Sequence, residues 1–149
     1  MNVSEFRSAY AQSEKVRIIC SHLESHCPKI SLQGLAGSAK TVIADAVIQQ
    51  LGGNHLFILP DKEEAAFFYN DLQNLEHLNQ GILFFPHSYK RPYQLEETDN
   101  ANVVSRAEVL ERINRNAAAI IVTYPEALSE KVITNPKLIR SWHWMDIPD

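Results

Sequence analysis

The stretch from Ile30 to Thr41 constrains the fold of this chain most, because it joins a strand-like run to a glycine-bearing loop and an apolar helical segment. A phosphate-binding loop has the pattern G-x-x-x-x-G-K-[ST] between a strand and a helix. Gly34, Lys40 and Thr41 match this pattern, whereas Ala39 stands where the second glycine is expected.

Each part of such a loop has a physical role. Backbone N–H groups and the helix N-terminus surround the phosphates, the lysine reaches the β- and γ-phosphates, and the hydroxyl binds Mg²⁺. The methyl group of Ala39 restricts the backbone freedom that glycine provides, so we expect a degenerate loop that can be empty. The candidate cofactor-binding residues are Gly34, Gly37, Ser38, Ala39, Lys40 and Thr41. We assign no catalytic and no metal-binding residue.

Short apolar runs alternate with helical patterns along the chain, which predicts an α/β domain with a mostly parallel sheet and three layers. The predicted strands are Ile30–Gln33, His55–Pro60, Ile82–Phe85 and Ala117–Val122. The first predicted helix is Thr41–Leu51, and the second begins at the capping-box residues Asp61 and Glu64. A third helix carries the apolar residues Val103, Ala107, Leu110 and Ile113, and a short fourth helix begins at Pro125. A strand, a glycine loop and a helix in this order favour a phosphate-loop topology.

The chain divides into three predicted parts. Residues 1–28 form a leading helix packed on the domain, residues 29–133 form the α/β lobe, and residues 134–149 form a C-terminal tail. The run His55–Pro60 is typical of a parallel strand that is covered on both faces. We expect full burial of five apolar side chains, namely Ile43, Val47, Ile58, Phe84 and Ile121.

Composition excludes several classes of protein. With 149 residues and a net charge of −4, the chain can bury a core but has no overall basic character suited to nucleic acid. It has no apolar run of membrane-spanning length and no signal-peptide core, so a cytoplasmic protein without a membrane partner is expected. Cys20 and Cys27 lie about 10 Å apart on one predicted helix, which is too far for a disulfide. Together with His22 and His26 they cannot close a tetrahedral metal shell alone.

An active NTPase also needs an acidic residue at the end of a neighbouring strand to hold Mg²⁺. Among the predicted strand ends only Asp61 is acidic, and a helix cap explains it better. The loop that begins at His87 interleaves aromatic and basic residues at 89–93, which suits single-stranded nucleic acid. Glu96, Glu97 and Asp99 follow at once, so a polar loop held by its tyrosines is the favoured interpretation.

Several of these segments together resemble one family. They are the loop from Gly34 to Lys40, the run Phe84–Phe85–Pro86 with its polar loop, the helix from Val103 to Ile113, and Ile120 to Leu128. This combination resembles the start of the bacterial transcription-repair coupling factor over roughly residues 3–133. The N-terminal module of that family is similar to the helicase-like component of the excision nuclease, and its first lobe is RecA-like. That component inserts a long β-hairpin after the position of Phe85, and too few residues precede Val103 for that hairpin here.

The resemblance implies a non-catalytic scaffold lobe that needs no cofactor, with ATP and Mg²⁺ used by motor domains of a longer protein. The implied partners are the rest of its own chain, stalled RNA polymerase, double-stranded DNA and the damage-recognition component of the excision nuclease. The implied process is transcription-coupled nucleotide-excision repair. The alternative is an enzyme, namely the nucleotide-binding lobe of a P-loop helicase or translocase separated from its partner lobe. Lys40 and Thr41 favour the alternative, whereas Ala39 and the lack of a strand-end acid favour the scaffold.

Overall fold

A computed structural model of the chain describes residues 3–25, 29–75, 81–91 and 94–132. The helices are α1 Val3–Ala11, α2 Glu14–Glu24, α3 Ala39–Leu51, α4 Lys62–Leu75, α5 Asn100–Asn114 and α6 Pro125–Ser129. The strands are β1 His55–Ile58, β2 Ile82–Phe85, β3 Tyr89–Arg91, β4 Gln94–Thr98 and β5 Ile120–Thr123. Within these residues, no helix is both long enough and apolar enough to cross a membrane.

The main sheet has three parallel strands in the order β1-β5-β2. Its register places Leu56 beside Ile121, and Ile121 beside Leu83. The central strand β5 is almost completely apolar, and Ile120 and Val122 have no exposed surface. The parallel α/β architecture predicted from the sequence is therefore confirmed, with three described strands in the parallel sheet.

Helices cover the sheet from both sides. The α4 side chains Phe68 and Tyr69 contact Phe57 and Phe84, at ring-centroid distances of 5.1 and 5.3 Å. The guanidinium of Arg106 on α5 lies over the ring of Phe85. Because successive side chains of a strand point to opposite faces, α4 and α5 cover opposite faces of the sheet.

The leading segment forms two helices instead of the predicted single helix. Ser13 interrupts it, since its hydroxyl accepts a hydrogen bond from the N–H of Val16 as an N-cap. The apolar spacing from Tyr10 to Val16 is also out of phase with one helical face. Both helices pack on α3, where Val16 and Cys20 meet Ala46.

An ion pair fixes α1 on α3. Arg7 donates from Nε and Nη2 to the two carboxylate oxygens of Asp45, each over 2.8 Å. The Asp45 side chain is only 4% exposed, and Gln49 donates a further hydrogen bond to it. A bidentate pair of this kind is geometrically specific, so it sets the position of α1.

The predicted strand Ile30–Gln33 is wrong, because the structure assigns no strand to these residues. Leu32 is 46% exposed, and Ile30 is half-buried. Ser31 and Gln33 alternate with the two apolar residues, so the segment has too little apolar surface for a strand covered on both faces. The glycine loop therefore follows an irregular segment.

The polar loop prediction for residues 87–100 is also wrong in part, because β3 and β4 pair there as an antiparallel ribbon. The paired residues include Tyr89 with Thr98 and Arg91 with Gln94. The ribbon is short, with strands of three and five residues. Its base is closed by the N–H of Asp99, which donates to the carbonyl of Ser88.

Burial differs from the expectation for the five apolar side chains. Ile43, Val47, Phe84 and Ile121 are half-buried, and Ile58 is 53% exposed. On α5 the buried residues are Arg106 and Val109, whereas Val103 is exposed. Among the described strands of the main sheet, β1 is an outer one and alternates between half-buried and exposed side chains, so it is not covered on both faces.

Candidate functional site

The glycine loop connects the irregular segment to α3. Gly34 and Gly37 have φ angles of +80° and +54°, a region that glycine adopts without strain. Helix α3 begins at Ala39, and its N-cap Ser38 makes no side-chain capping bond. The first N–H groups of α3 therefore have no side-chain cap at the position where a phosphate loop would hold its ligand.

Two carboxylates of α4 hold the polar side chains of this loop. Lys40 Nζ lies 2.6 Å from Glu64 Oε2, and the Ser38 hydroxyl donates to Asp71 Oδ2 over 3.0 Å. Glu64 and Asp71 are two helical turns apart on α4, so they share one face. The lysine that would bind phosphate is neutralised by the chain's own carboxylate.

The remaining residues of the motif differ in exposure. Gly34, Gly37 and Ser38 are exposed, Ala39 and Lys40 are half-buried, and Thr41 is only 1% exposed. The structure thus places the six predicted residues in one continuous loop and helix start. The strand that a phosphate loop requires before its first glycine is not formed by Ile30–Gln33.

A second group of polar residues lies at the carboxyl ends of β2 and β5. His87 follows β2 and Tyr124 follows β5, and both are buried. The hydroxyl of Tyr124 lies 2.5 Å from His87 Nδ1 and accepts a hydrogen bond from the backbone N–H of His87. Burial lowers the pKa of His87, and the charge of Lys62 lowers it further.

Arg106 reaches this group from α5. Its Nη1 donates to the carbonyls of Pro86 and Ala127, over 2.7 and 3.1 Å, and the guanidinium lies 4.1 Å from the ring centroid of Phe85. The arginine therefore connects the end of β2 to helix α6. Among the described residues, Arg106 Nη2 is buried without a hydrogen-bond partner, and burial lowers the pKa of the guanidinium.

Glu130 completes the group beside the ribbon. Its carboxylate accepts hydrogen bonds from the N–H and the hydroxyl of Ser88, over 2.7 and 2.5 Å, and lies 3.7 Å from Arg106 Nη1. Burial favours the neutral acid, but the two Ser88 hydrogen bonds and Arg106 outweigh it, so the pKa of Glu130 is lowered. We call His87, Ser88, Arg106, Tyr124 and Glu130 the carboxyl-edge cluster.

The cluster ties the ends of β2 and β5 to α5 and α6, and its polar groups bond mainly to one another. Asp61, at the end of the remaining strand, accepts the Glu64 N–H through Oδ1 over 2.8 Å. This is the capping contact predicted from the sequence. The reciprocal half of the capping box is not formed by Glu64, whose carboxylate instead pairs with Lys40.

Sequence reasoning missed the carboxyl-edge cluster. His87 and Tyr124 stand directly after two predicted strands, which was a usable signal, but only acidic residues were sought there. Arg106 gave no such signal, because it lies within a predicted helix that was recognised only from the spacing of its apolar residues. In the described ranges, no group of three or more His, Cys, Asp or Glu side chains is placed to hold a metal ion. Cys27 and His26 lie outside those ranges.

In comparisons with known proteins, no family model, no curated protein and no solved structure matches the chain.

Proposed function

We propose that this chain is a non-catalytic scaffold lobe of a transcription-repair coupling factor, with a RecA-like fold and a degenerate phosphate loop. It would belong to the module that links a stalled RNA polymerase to nucleotide-excision repair. The sequence segments that resemble that family support the assignment, and so does the parallel α/β architecture. The proposed partners are the rest of its own chain and, through the longer protein, RNA polymerase, double-stranded DNA and the damage-recognition component of the excision nuclease.

The ion pair between Lys40 and Glu64 carries the non-catalytic part of this proposal. A phosphate-loop lysine has to be available to the β- and γ-phosphates, and here a carboxylate of α4 takes that place. The pair is partly exposed, with side-chain exposures of 42% and 46%. The free energy of this ion pair is therefore modest, on the order of 1 kcal/mol or less. The methyl group of Ala39 and the unformed strand before the loop act against nucleotide binding together with it.

The strand ends give further support. Hydrolysis requires a carboxylate at a strand end that is available for Mg²⁺ and water. Asp61 caps α4, and the polar residues after β2 and β5 are His87 and Tyr124, bound to each other. Glu130, the nearby acid, is bound to Ser88 and Arg106.

A second candidate function is a nucleotide-binding lobe that lacks its partner lobe. The positive φ angles of Gly34 and Gly37 and the lack of a side-chain cap from Ser38 favour it. It predicts that phosphate displaces Glu64 from Lys40. The choice between the two functions thus depends on whether a nucleotide can compete with this carboxylate.

ATP hydrolysis by the purified chain tests the proposal. We expect no turnover above background with Mg²⁺-ATP, and no difference between the native chain and the variant Lys40→Ala. The matched control is Lys62→Ala, which removes an exposed lysine from the first turn of α4. If the native chain hydrolyses ATP, and if Lys40→Ala abolishes this activity while Lys62→Ala keeps it, the chain is an enzyme instead.

A further inference from the structure

The face of the main sheet that carries α5 is covered unequally. At β2, where α5 packs, Phe85 is only 7% exposed. The register aligns Phe85 across β5 with Ile58 of β1, so both side chains point to this face. Ile58 is nevertheless 53% exposed, Leu56 on the same face is 57% exposed, and its neighbour Ile121 on β5 is half-buried. We call Leu56, Ile58 and Ile121 the open face.

The open face has the width of one helix. Strand β1 lies two strand spacings, about 10 Å, from β2, and packed helices lie about 8–10 Å apart. A helix over β1 therefore fits beside α5 without displacing it. Parallel sheets are normally covered by helices on both faces, but the exposure of Leu56 and Ile58 shows that no described helix occupies this position.

Helix α5 has an apolar surface on the side away from the sheet. Val104 is 67% exposed, Val103 is 43% exposed, and Ala107 is also exposed. They lie within about one turn, on the side away from the buried residues Arg106 and Val109. The outer surface of a helix is normally polar or charged, whereas these three side chains carry no polar group. We call Val103, Val104 and Ala107 the α5 face.

The α5 face and the open face lie on the same side of the sheet and at the same level along it. Arg106 donates to the carbonyl of Pro86, which directly follows β2, so the N-terminal half of α5 lies at the carboxyl ends of the strands. Ile58 is the last residue of β1 at that same end. Each copy of the chain therefore offers both halves of one contact, an outward helix face and a helix-wide sheet face, as a closed twofold interface requires.

We propose that two copies of the chain form a symmetric dimer in which the α5 face of each copy packs on the open face of the other. The twofold axis runs parallel to the strands, midway between the two sheets. The two α5 helices then lie side by side in one layer, and each fills the empty position over β1 of the other copy. The proposal rests on the register and the exposed side chains, and it holds whether or not the chain acts in repair.

The size of this interface predicts a weak dimer. Helix α5 has 15 residues, so it is about 22 Å long and about 10 Å wide. Each of the two contacts covers such a footprint on both copies, which gives a total buried area of roughly 900 Å². Complexes that bury less than about 1,200 Å² are typically transient, so we expect monomer and dimer to exchange in solution.

Sedimentation velocity of the chain over roughly 5–500 μM tests the proposal, because this range brackets the Kd of a weak complex. We expect the weight-average mass to rise with concentration from that of a monomer toward that of a dimer. Val104→Glu on the α5 face and Ile58→Lys on the open face should each weaken association by more than about tenfold. Each variant places a charge against an apolar surface in both contacts.

A mixture of these two variants tests the reciprocal arrangement. In a heterodimer of Val104→Glu with Ile58→Lys, the new carboxylate of one copy faces the new ammonium group of the other, and the second contact is native. The mixture should therefore associate more tightly than either variant alone. A dimer through two α5 faces, or through two open faces, would be weakened by only one of the two variants, and that result would contradict the proposal.

Phe67→Glu provides the matched control, since Phe67 is 72% exposed on α4, which covers the opposite face of the sheet. This variant should associate like the native chain. If an interface variant does not fold by circular dichroism, Val103→Glu or Leu56→Lys takes its place. A chain that stays monomeric over the whole range would overturn the proposal, and so would a dimer that neither interface variant weakens or that Phe67→Glu abolishes.

Discussion

The side chain of Arg106 shows how much one residue can contribute to the position of several elements. It extends from α5, donates to carbonyl groups of Pro86 and Ala127, and lies against the ring of Phe85. Its charge is balanced by Glu130 at 3.7 Å. Removal of this guanidinium would remove a donor from two buried carbonyl groups and the cation beside a carboxylate.

We therefore expect Arg106→Leu to lower the free energy of unfolding by about 2–4 kcal/mol. The control is Arg115→Leu at the end of the same helix, where the side chain is 71% exposed and pairs with Glu111. That change should lower the free energy by about 0.5 kcal/mol or less. Urea denaturation of both variants measures the difference, and equal stabilities would show that the Arg106 contacts do not stabilise the fold.

The titration of His87 predicts a dependence of stability on pH. Burial, followed by the charge of Lys62, lowers the pKa of His87 in the folded state, whereas an unfolded histidine titrates near 6.5. Below that pH the unfolded chain binds more protons than the folded chain, so stability falls as the pH falls. The lowered pKa of Glu130 acts in the same direction at more acidic pH.

Urea denaturation between about pH 7 and pH 5 should therefore show decreasing stability, and His87→Gln should reduce the slope. If stability depends on pH equally in the native chain and in His87→Gln, His87 is not buried in its neutral form.

At the scale of elements, much of the fold could be predicted from local patterns. The end of α3 at Leu51, the cap of α4 by Asp61 and the proline at the start of α6 were predicted from the sequence, and the structure confirms them. Each depends on backbone chemistry within a few residues, and such local requirements can be read without knowing the tertiary contacts.

The errors concern properties that tertiary position decides. An apolar run such as that of β1 does not reveal whether the strand lies at the centre or the edge of a sheet. The burial of Arg106 depends on carbonyl acceptors that lie about twenty residues away in the chain. The strand predicted at Ile30–Gln33 rested on the loop motif that follows it, rather than on its own weak apolar pattern.

The break between α1 and α2 was also missed, and it leads to a test of the N-cap. Ser13→Ala removes the hydroxyl that accepts from the Val16 N–H, and should destabilise the protein by about 1 kcal/mol. Ser21→Ala, at an exposed position inside α2, should be neutral or slightly stabilising because alanine favours helices. Thermal unfolding followed by circular dichroism measures both. Equal melting temperatures would show that the cap does not hold the junction.

At the scale of the whole molecule, the candidate phosphate loop and the carboxyl-edge cluster differ in how the chain assembles them. Lys40 and Ser38 are bound by α4, whereas His87 and Tyr124 join the ends of β2 and β5. The sequence predicted the first site as a continuous motif. The second site brings together residues from segments far apart in the chain, so no continuous motif could reveal it, and only the positions of His87 and Tyr124 after two predicted strands gave a signal.

The central proposal is that the loop from Gly34 to Thr41 does not bind nucleotide, because Glu64 and Asp71 already bind Lys40 and Ser38. Calorimetric titration of the native chain with Mg²⁺-ATP tests it most directly. We predict no saturable heat of binding, and the same result for Lys40→Ala. A saturable heat with one site per chain that disappears in Lys40→Ala would contradict this claim.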